Sequence, residues 1–162
     1  MSDFNQDRFN TLLQEALSYE VKINPAWSQE GAQDLYQIIP KIRGICARIE
    51  EILLEFARVK ANLVAEKRLL EFEIEKKQDE AVAHTVPDLL GKGINWEERA
   101  SVRRTMTVDL RLKLVGVQNF LDIVDVYHKA VERRYMLFLQ TKGDANAMAS
   151  LLRTGNILGE IE

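Results

Sequence analysis

Residues 35–70 read LYQIIPKIRGICARIEEILLEFARVKANLVAEKRLL. Apolar side chains recur along them at alternating steps of three and four. Leu35, Ile42, Ile49, Phe56, Leu63 and Leu70 hold one position of a heptad, and Ile38, Ile45, Ile52 and Val59 hold the other. Such a repeat draws an apolar stripe along one side of an α-helix and asks for a partner carrying the same repeat. That partner stands downstream, where Leu110, Val117, Val124, Val131 and Phe138 alternate with Leu114, Leu121, His128 and Tyr135 at the same spacings. The downstream run opens at Asn95-Trp96-Glu97-Glu98, which has the spacing of a capping box, and reaches a natural stop at Lys142-Gly143.

Two arms of this kind, 35–81 and 96–142, are each about 70 Å long at 1.5 Å per residue. Joined by a loop over 82–95 that carries Pro87, Gly91 and Gly93, they predict an all-α fold: a long antiparallel helical hairpin, coiled-coil-like, within a single domain 1–162. Pro40 predicts a kink or a fresh helix start. Glu66 and Glu73, standing where Ile and Val stood before, predict a weakening seam and fraying near Glu80. Gly116 costs the second arm roughly 1 kcal/mol against alanine, which close approach of a neighbour would explain.

Short helices are expected at both ends. In 1–34, Phe4, Phe9, Leu12, Leu13, Ala16 and Leu17 form an amphipathic stripe capped by Ser2 or Asp3; Asn24-Pro25-Ala26-Trp27 breaks it, and Ser28 caps the next helix. In 143–162, a closing helix capped by Asp144 carries Met148, Leu151 and Leu152 and ends near Gly155.

The 162 residues are 46% hydrophobic and 29% charged, a balance that builds a core and excludes wholesale disorder. Cys46, the single cysteine, has no internal partner and lies in the periodic run, so a buried free thiol in a reducing cytoplasm is expected. The polar, acidic start and the lack of any stretch of eighteen uncharged apolar residues lead to the expectation of neither export nor membrane insertion.

Chemistry is sparse. The two histidines are far apart in sequence; His84 is in the loop, and His128 is on the seam with Asp125 one turn before it, the setting of a core histidine bonded to a carboxylate. There is no Walker loop, Gly-x-Gly-x-x-Gly turn, Cys-x-x-Cys pair or serine elbow. A non-enzymatic protein with no catalytic residues, metal or cofactor is therefore expected.

Two kinds of surface are left over. A two-helix seam does not cover Ile39, Leu69 or Val126, nor the residues expected to form an oligomer interface: Leu53, Phe72, Ile74, Leu89, Leu90, Phe120, Ile123 and Tyr127. Homo-oligomerisation is the expected remedy. The second surface is basic. A net charge of −3 argues against coating nucleic acid by overall electrostatics. Yet Arg99, Arg103, Arg104, Arg111 and Lys113 face one internal acid, Asp109. Arg99, Arg103 and Arg104 share a face and, on a hairpin, approach Lys67 and Arg68. Either these cations pair with the many glutamates or they grip a phosphate backbone.

The first arm, through Leu35-Tyr36, Ile39-Pro40-Lys41, Arg48-Ile49-Glu50 and Arg58-Val59-Lys60, resembles the phage recombination mediators of the UvsY type in order and spacing. The second arm resembles that family in pattern, through Phe120-Leu121-Asp122-Ile123-Val124, Glu132-Arg133-Arg134 and a closing helix before Gly155. The resemblance implies that Arg58 and Lys60 belong to a single-stranded DNA contact. It further implies a ring-like homo-oligomer that helps load a recombinase in place of a single-strand-binding protein, in the host cytoplasm if the chain is phage-encoded. The competing expectation is a structural or adaptor protein, such as a virion or assembly component, that acts through helical protein-protein contacts alone.

Overall fold

A proline inside a helix removes one backbone donor and crowds the carbonyl four residues earlier, at a cost of roughly 3 kcal/mol. Pro40 nevertheless lies within an unbroken helix, so the expected fresh start is absent. Leu35 on one side and Ile42, Ile45 and Ile49 on the other are all buried, and packing on both sides of the proline holds the turn helical. Pro40 and Tyr36, whose carbonyl loses its donor, are both on the exposed side, within reach of water.

The computed structural model describes residues 6–21, 29–85 and 96–159. Among them are three helices and no strand: α1 (Gln6–Ser18), α2 (Gln29–Thr85) and α3 (Trp96–Gly159). The proposed caps Ser2, Asp3, Ser28 and Asn95, and the loop residues Pro87, Leu89, Leu90, Gly91, Gly93 and Ile94, lie outside the described residues. The two long helices pack against each other as a helical hairpin. α3 does not stop at Lys142-Gly143, and the separate closing helix expected after it is instead the continuation of α3 to Gly159. Gly143 keeps a right-handed helical backbone, and Phe138 and Ala145 on either side of it are buried on one face. A glycine penalty of about 1 kcal/mol does not end a helix anchored on both sides.

The chain divides into two compact units. Unit 1 comprises residues 1–57 and 126–162; unit 2 comprises 58–125. In unit 1 three helices meet. α1 buries Phe9, Leu12, Leu13 and Ala16; α2 buries Leu35, Ile42, Ile45, Cys46, Ile49, Ile52 and Phe56; α3 buries Val131, Phe138 and Ala145. The Phe9 ring stacks on Phe56 with centroids 4.0 Å apart and on Tyr127 at 5.7 Å. Charged contacts at the rim of this core tie the helices together. The Arg48 guanidinium donates to both oxygens of Glu15 at 2.7 and 3.0 Å, Arg8 meets Glu55 at 2.6 Å, and Tyr135 donates its hydroxyl proton to Glu50. Arg153 donates to the Tyr36 hydroxyl at 3.2 Å.

Unit 2 contains two helices, and its buried residues form a single seam: Leu63, Leu70, Ile74 and Ala81 from α2, and Thr107, Leu110, Val117, Leu121 and Val124 from α3. The α2 stripe shifts here. Glu66 and Lys67 are half-buried and Glu73 is exposed, while Ile74 and Ala81 take over the core four residues after Leu70 and seven beyond that. An insertion of four into a heptad series locally unwinds the coil and moves the seam round the helix. The helix therefore continues to Thr85 where a fading seam predicted an end near Glu80.

Three measurements would check this packing. Phe56 is fully buried, and Phe56→Ala is expected to cost roughly 3–5 kcal/mol in chemical denaturation, the range for deleting a large buried ring. At Gly116 a Cβ would meet nothing within 4 Å, so close approach does not explain the glycine, and Gly116→Ala should stabilise the protein by about 0.5–1 kcal/mol. The Arg48 hydrogen bonds hold the Glu15 carboxyl below its ordinary value of 4.5. A carboxyl with a lowered folded value contributes stability that is complete above its ordinary value and is lost as pH falls through the lowered one. The stability gap between the wild type and Glu15→Gln should thus be open at pH 6–7 and close progressively on acidification below about pH 4.5.

Candidate nucleic-acid interface

The nine basic residues singled out from the sequence, Arg58, Lys60, Lys67 and Arg68 on α2 and Arg99, Arg103, Arg104, Arg111 and Lys113 on α3, all belong to unit 2. Lys67 and Arg99 are half-buried; the other seven are exposed. Helical geometry explains this placement. With Leu63 and Leu70 turned inward on α2, and Thr107, Leu110 and Val117 on α3, the intervening cations point away from the seam.

Their partners differ. Lys60 meets Asp125 at 2.7 Å, and Lys67 reaches Glu71 one turn along the same helix at 3.9 Å. Arg111 donates through Nε to the Thr107 hydroxyl at 3.1 Å. Arg99 has its Nε buried without a hydrogen-bond acceptor. Arg58, Arg68, Arg103, Arg104 and Lys113 form no ion pair among the described residues. In unit 1 the exposed Arg43 and Arg133 likewise form no ion pair among the described residues, while the other four arginines are engaged. Arg8 and Arg48 are bound to carboxylates, Arg134 donates to the Tyr19 carbonyl and lies 5.4 Å over the Phe138 ring, and Arg153 lies 5.7 Å over the Tyr36 ring.

Thr107 was missed from the sequence because it is polar, although it stands three residues before Leu110 and so on the α3 heptad. It is fully buried, and its hydroxyl donates to the Arg103 carbonyl at 2.8 Å. Ala81 and Ala145 extend the stripes in the same way, as small residues at heptad spacing from Ile74 and Phe138.

The residues expected at an oligomer interface fall into separate groups. Phe72 is 64% exposed, and Leu53, Phe120 and Ile123 are half-buried. Tyr127 stacks with Phe9, and Ile74 is buried within unit 2, so part of this set is consumed inside the chain. Leu89 and Leu90 lie outside the described residues. Apolar surface absent from that set is also exposed: Val108, Leu112 and Val115 form one stripe of α3, and Met136 is 62% exposed. Met136 helps to line an open groove of about 910 Å³ in unit 1 with Leu53, Tyr135 and Leu139.

The remaining reactive groups do not converge. His128 is half-buried, with Nδ1 3.8 Å from Glu132, and Asp125 is engaged by Lys60. The Cys46 thiol is buried, and loss of hydration pushes its pKa up. The hydrogen bond to Glu50, with burial adding to it, pushes the Tyr135 hydroxyl up to about 12. Among the described residues no group of three His, Cys, Asp or Glu side chains is placed to hold a metal ion, and no helix is long and apolar enough to cross a membrane. No family model matches the chain, and neither does any curated protein or solved structure.

Proposed function

We propose that this chain is a non-enzymatic recombination mediator that binds single-stranded DNA through the basic residues of unit 2. As a homo-oligomer, it helps a recombinase load in place of a single-strand-binding protein. The observation that carries the reading is uncommitted positive charge. The chain has 25 acidic residues against 22 basic ones, so carboxylates are in surplus. Even so, Arg58, Arg68, Arg103, Arg104 and Lys113 are exposed and form no ion pair among the described residues. Self-pairing with glutamates was the competing account of these cations. Exposed guanidinium and ammonium groups left without partners are what a phosphate backbone requires. The site carries no sequence-reading geometry, which fits backbone contact with any single strand.

In this reading the arms run antiparallel in the coiled-coil manner, with Lys60 held against Asp125. Moving seven residues on from Lys60 then sets Lys67 opposite the turn near Gln118. That turn is about fourteen residues, or roughly 21 Å, from Arg104. On that register the cations fall into two groups along unit 2, Arg58 to Arg68 and Arg99 to Lys113. A flexible strand is suited to track both. Within the first group Arg58 is the more available contact, because Lys60 has Asp125 as a partner. The protein works in the cytoplasm, that of the host if it is phage-encoded.

One observation favours the second reading, a structural or adaptor protein: the groove lined by Leu53, Tyr135, Met136 and Leu139 offers apolar surface for a partner. The two readings separate in a fluorescence-anisotropy titration with single-stranded and duplex oligonucleotides at several salt concentrations. Each lost phosphate contact lowers the single-strand salt slope by about 0.7, so Arg103→Ala with Arg104→Ala should weaken binding and flatten the slope by about 1.4. A slope equal to that of the wild type would remove these two arginines from the interface, and no affinity at moderate salt would leave the adaptor reading.

A further inference from the structure

Thr107 occupies a position that valine would pack equally well: it is on the apolar seam and fully buried. What distinguishes threonine there is its hydroxyl. Its proton is committed to the Arg103 carbonyl at 2.8 Å, with the Arg104 carbonyl at 3.5 Å, which leaves an oxygen lone pair to accept from Arg111 Nε at 3.1 Å. We infer that Thr107 is a positioning residue that holds the exposed Arg111 guanidinium ready for bidentate contact with a nucleic-acid phosphate. This rests on the single-stranded DNA reading above and adds to it the residue that orients the contact.

A guanidinium is planar, with one N–H on Nε and four on the two terminal nitrogens. Spending the Nε proton inward fixes the plane and sends the terminal fork outward, the edge that matches two phosphate oxygens. Rotamer freedom that a long side chain would lose on binding is here lost on folding. The neighbouring Arg103, Arg104 and Lys113 have no such side-chain anchor among the described residues. Lysine at 111 would keep the charge and lose both the anchor and the fork.

The test uses the full chain and a labelled oligothymidylate. Thr107→Val removes the acceptor with shape retained, and Thr107→Ser keeps it. Thr107→Val is expected to bind about three- to tenfold more weakly than wild type at an unchanged salt slope, because the lost term is pre-organisation and not charge. Thr107→Ser should restore wild-type affinity. Arg111→Lys, on the exposed surface, should show the same loss at the same slope, and Thr107→Val should add nothing in that background.

Wild-type affinity in a folded Thr107→Val overturns the inference, as does an equal further loss in the Arg111→Lys background. If Thr107→Val does not fold, Arg111→Lys decides alone, and wild-type affinity there overturns it. The Arg111 Nε–H resonance, slow to exchange in the wild type and fast in Thr107→Val, reports the anchor without DNA. An anchored Nε–H in a chain with no salt-dependent binding would sink the nucleic-acid reading and the phosphate role of Arg111 together, whereas a freely exchanging Nε–H in a chain that does bind would sink the positioning role alone.

Discussion

The heptad seam between the two long helices is the constraint on which everything else rests. Each Ile, Leu, Val or Phe withdrawn from water contributes about 1.5–3 kcal/mol, and the gain is available only while successive inward positions remain in register. Ile42, Ile49 and Phe56 are fully buried on α2, as are Val124 and Val131 on α3. That register also decides what faces outward, since a helix that commits one stripe to the seam has no freedom left in where its other side chains point. The orientation of the basic residues in unit 2 is thus a consequence of apolar packing several ångströms away.

Both units pair some of their cations and leave others exposed. In unit 1, α1 and the residue that follows it supply acceptors for two arginines: Glu15 for Arg48 and the Tyr19 carbonyl for Arg134. Exposed contacts of this type add little net stability, so their effect is chiefly to fix the docking angle of α1. Among the described residues, unit 2 is built from α2 and α3. Its Arg58, Arg68, Arg103 and Arg104 are exposed with no ionic partner among the described residues, as are Arg43 and Arg133 of unit 1.

Much of the architecture was legible because apolar periodicity is a property of the chain itself. The α2 stripe from Leu35 to Leu70 and the α3 stripe from Leu110 to Phe138 are buried or half-buried at every predicted position. The fresh start at Pro40 and the stop at Gly143, two punctuation residues, did not occur. Their local preference is to break a helix, at roughly 3 and 1 kcal/mol, and burial on both sides of each outweighs it. The shift to Ile74 was also obscured, because Glu66 and Glu73 look like a seam ending when the stripe is moving round the helix. Small and polar residues escaped notice: Ala81, Ala145 and Thr107 lie on the stripes but have no apolar bulk to announce it.

From sequence alone came the helical class, the pairing of two long stripes and the location of the basic residues, because all three depend only on the order of side chains along a helix of known pitch. The tertiary structure decided which of those side chains are already taken. Lys60 is held by Asp125 and Tyr127 by Phe9, whereas Arg58, Arg103 and Arg104 have no ionic partner among the described residues. The physical reason is that partnership depends on residues far apart in the chain, such as Glu15 and Arg48 or Lys60 and Asp125, whose approach is set by the packing of whole helices and leaves no trace in local spacing.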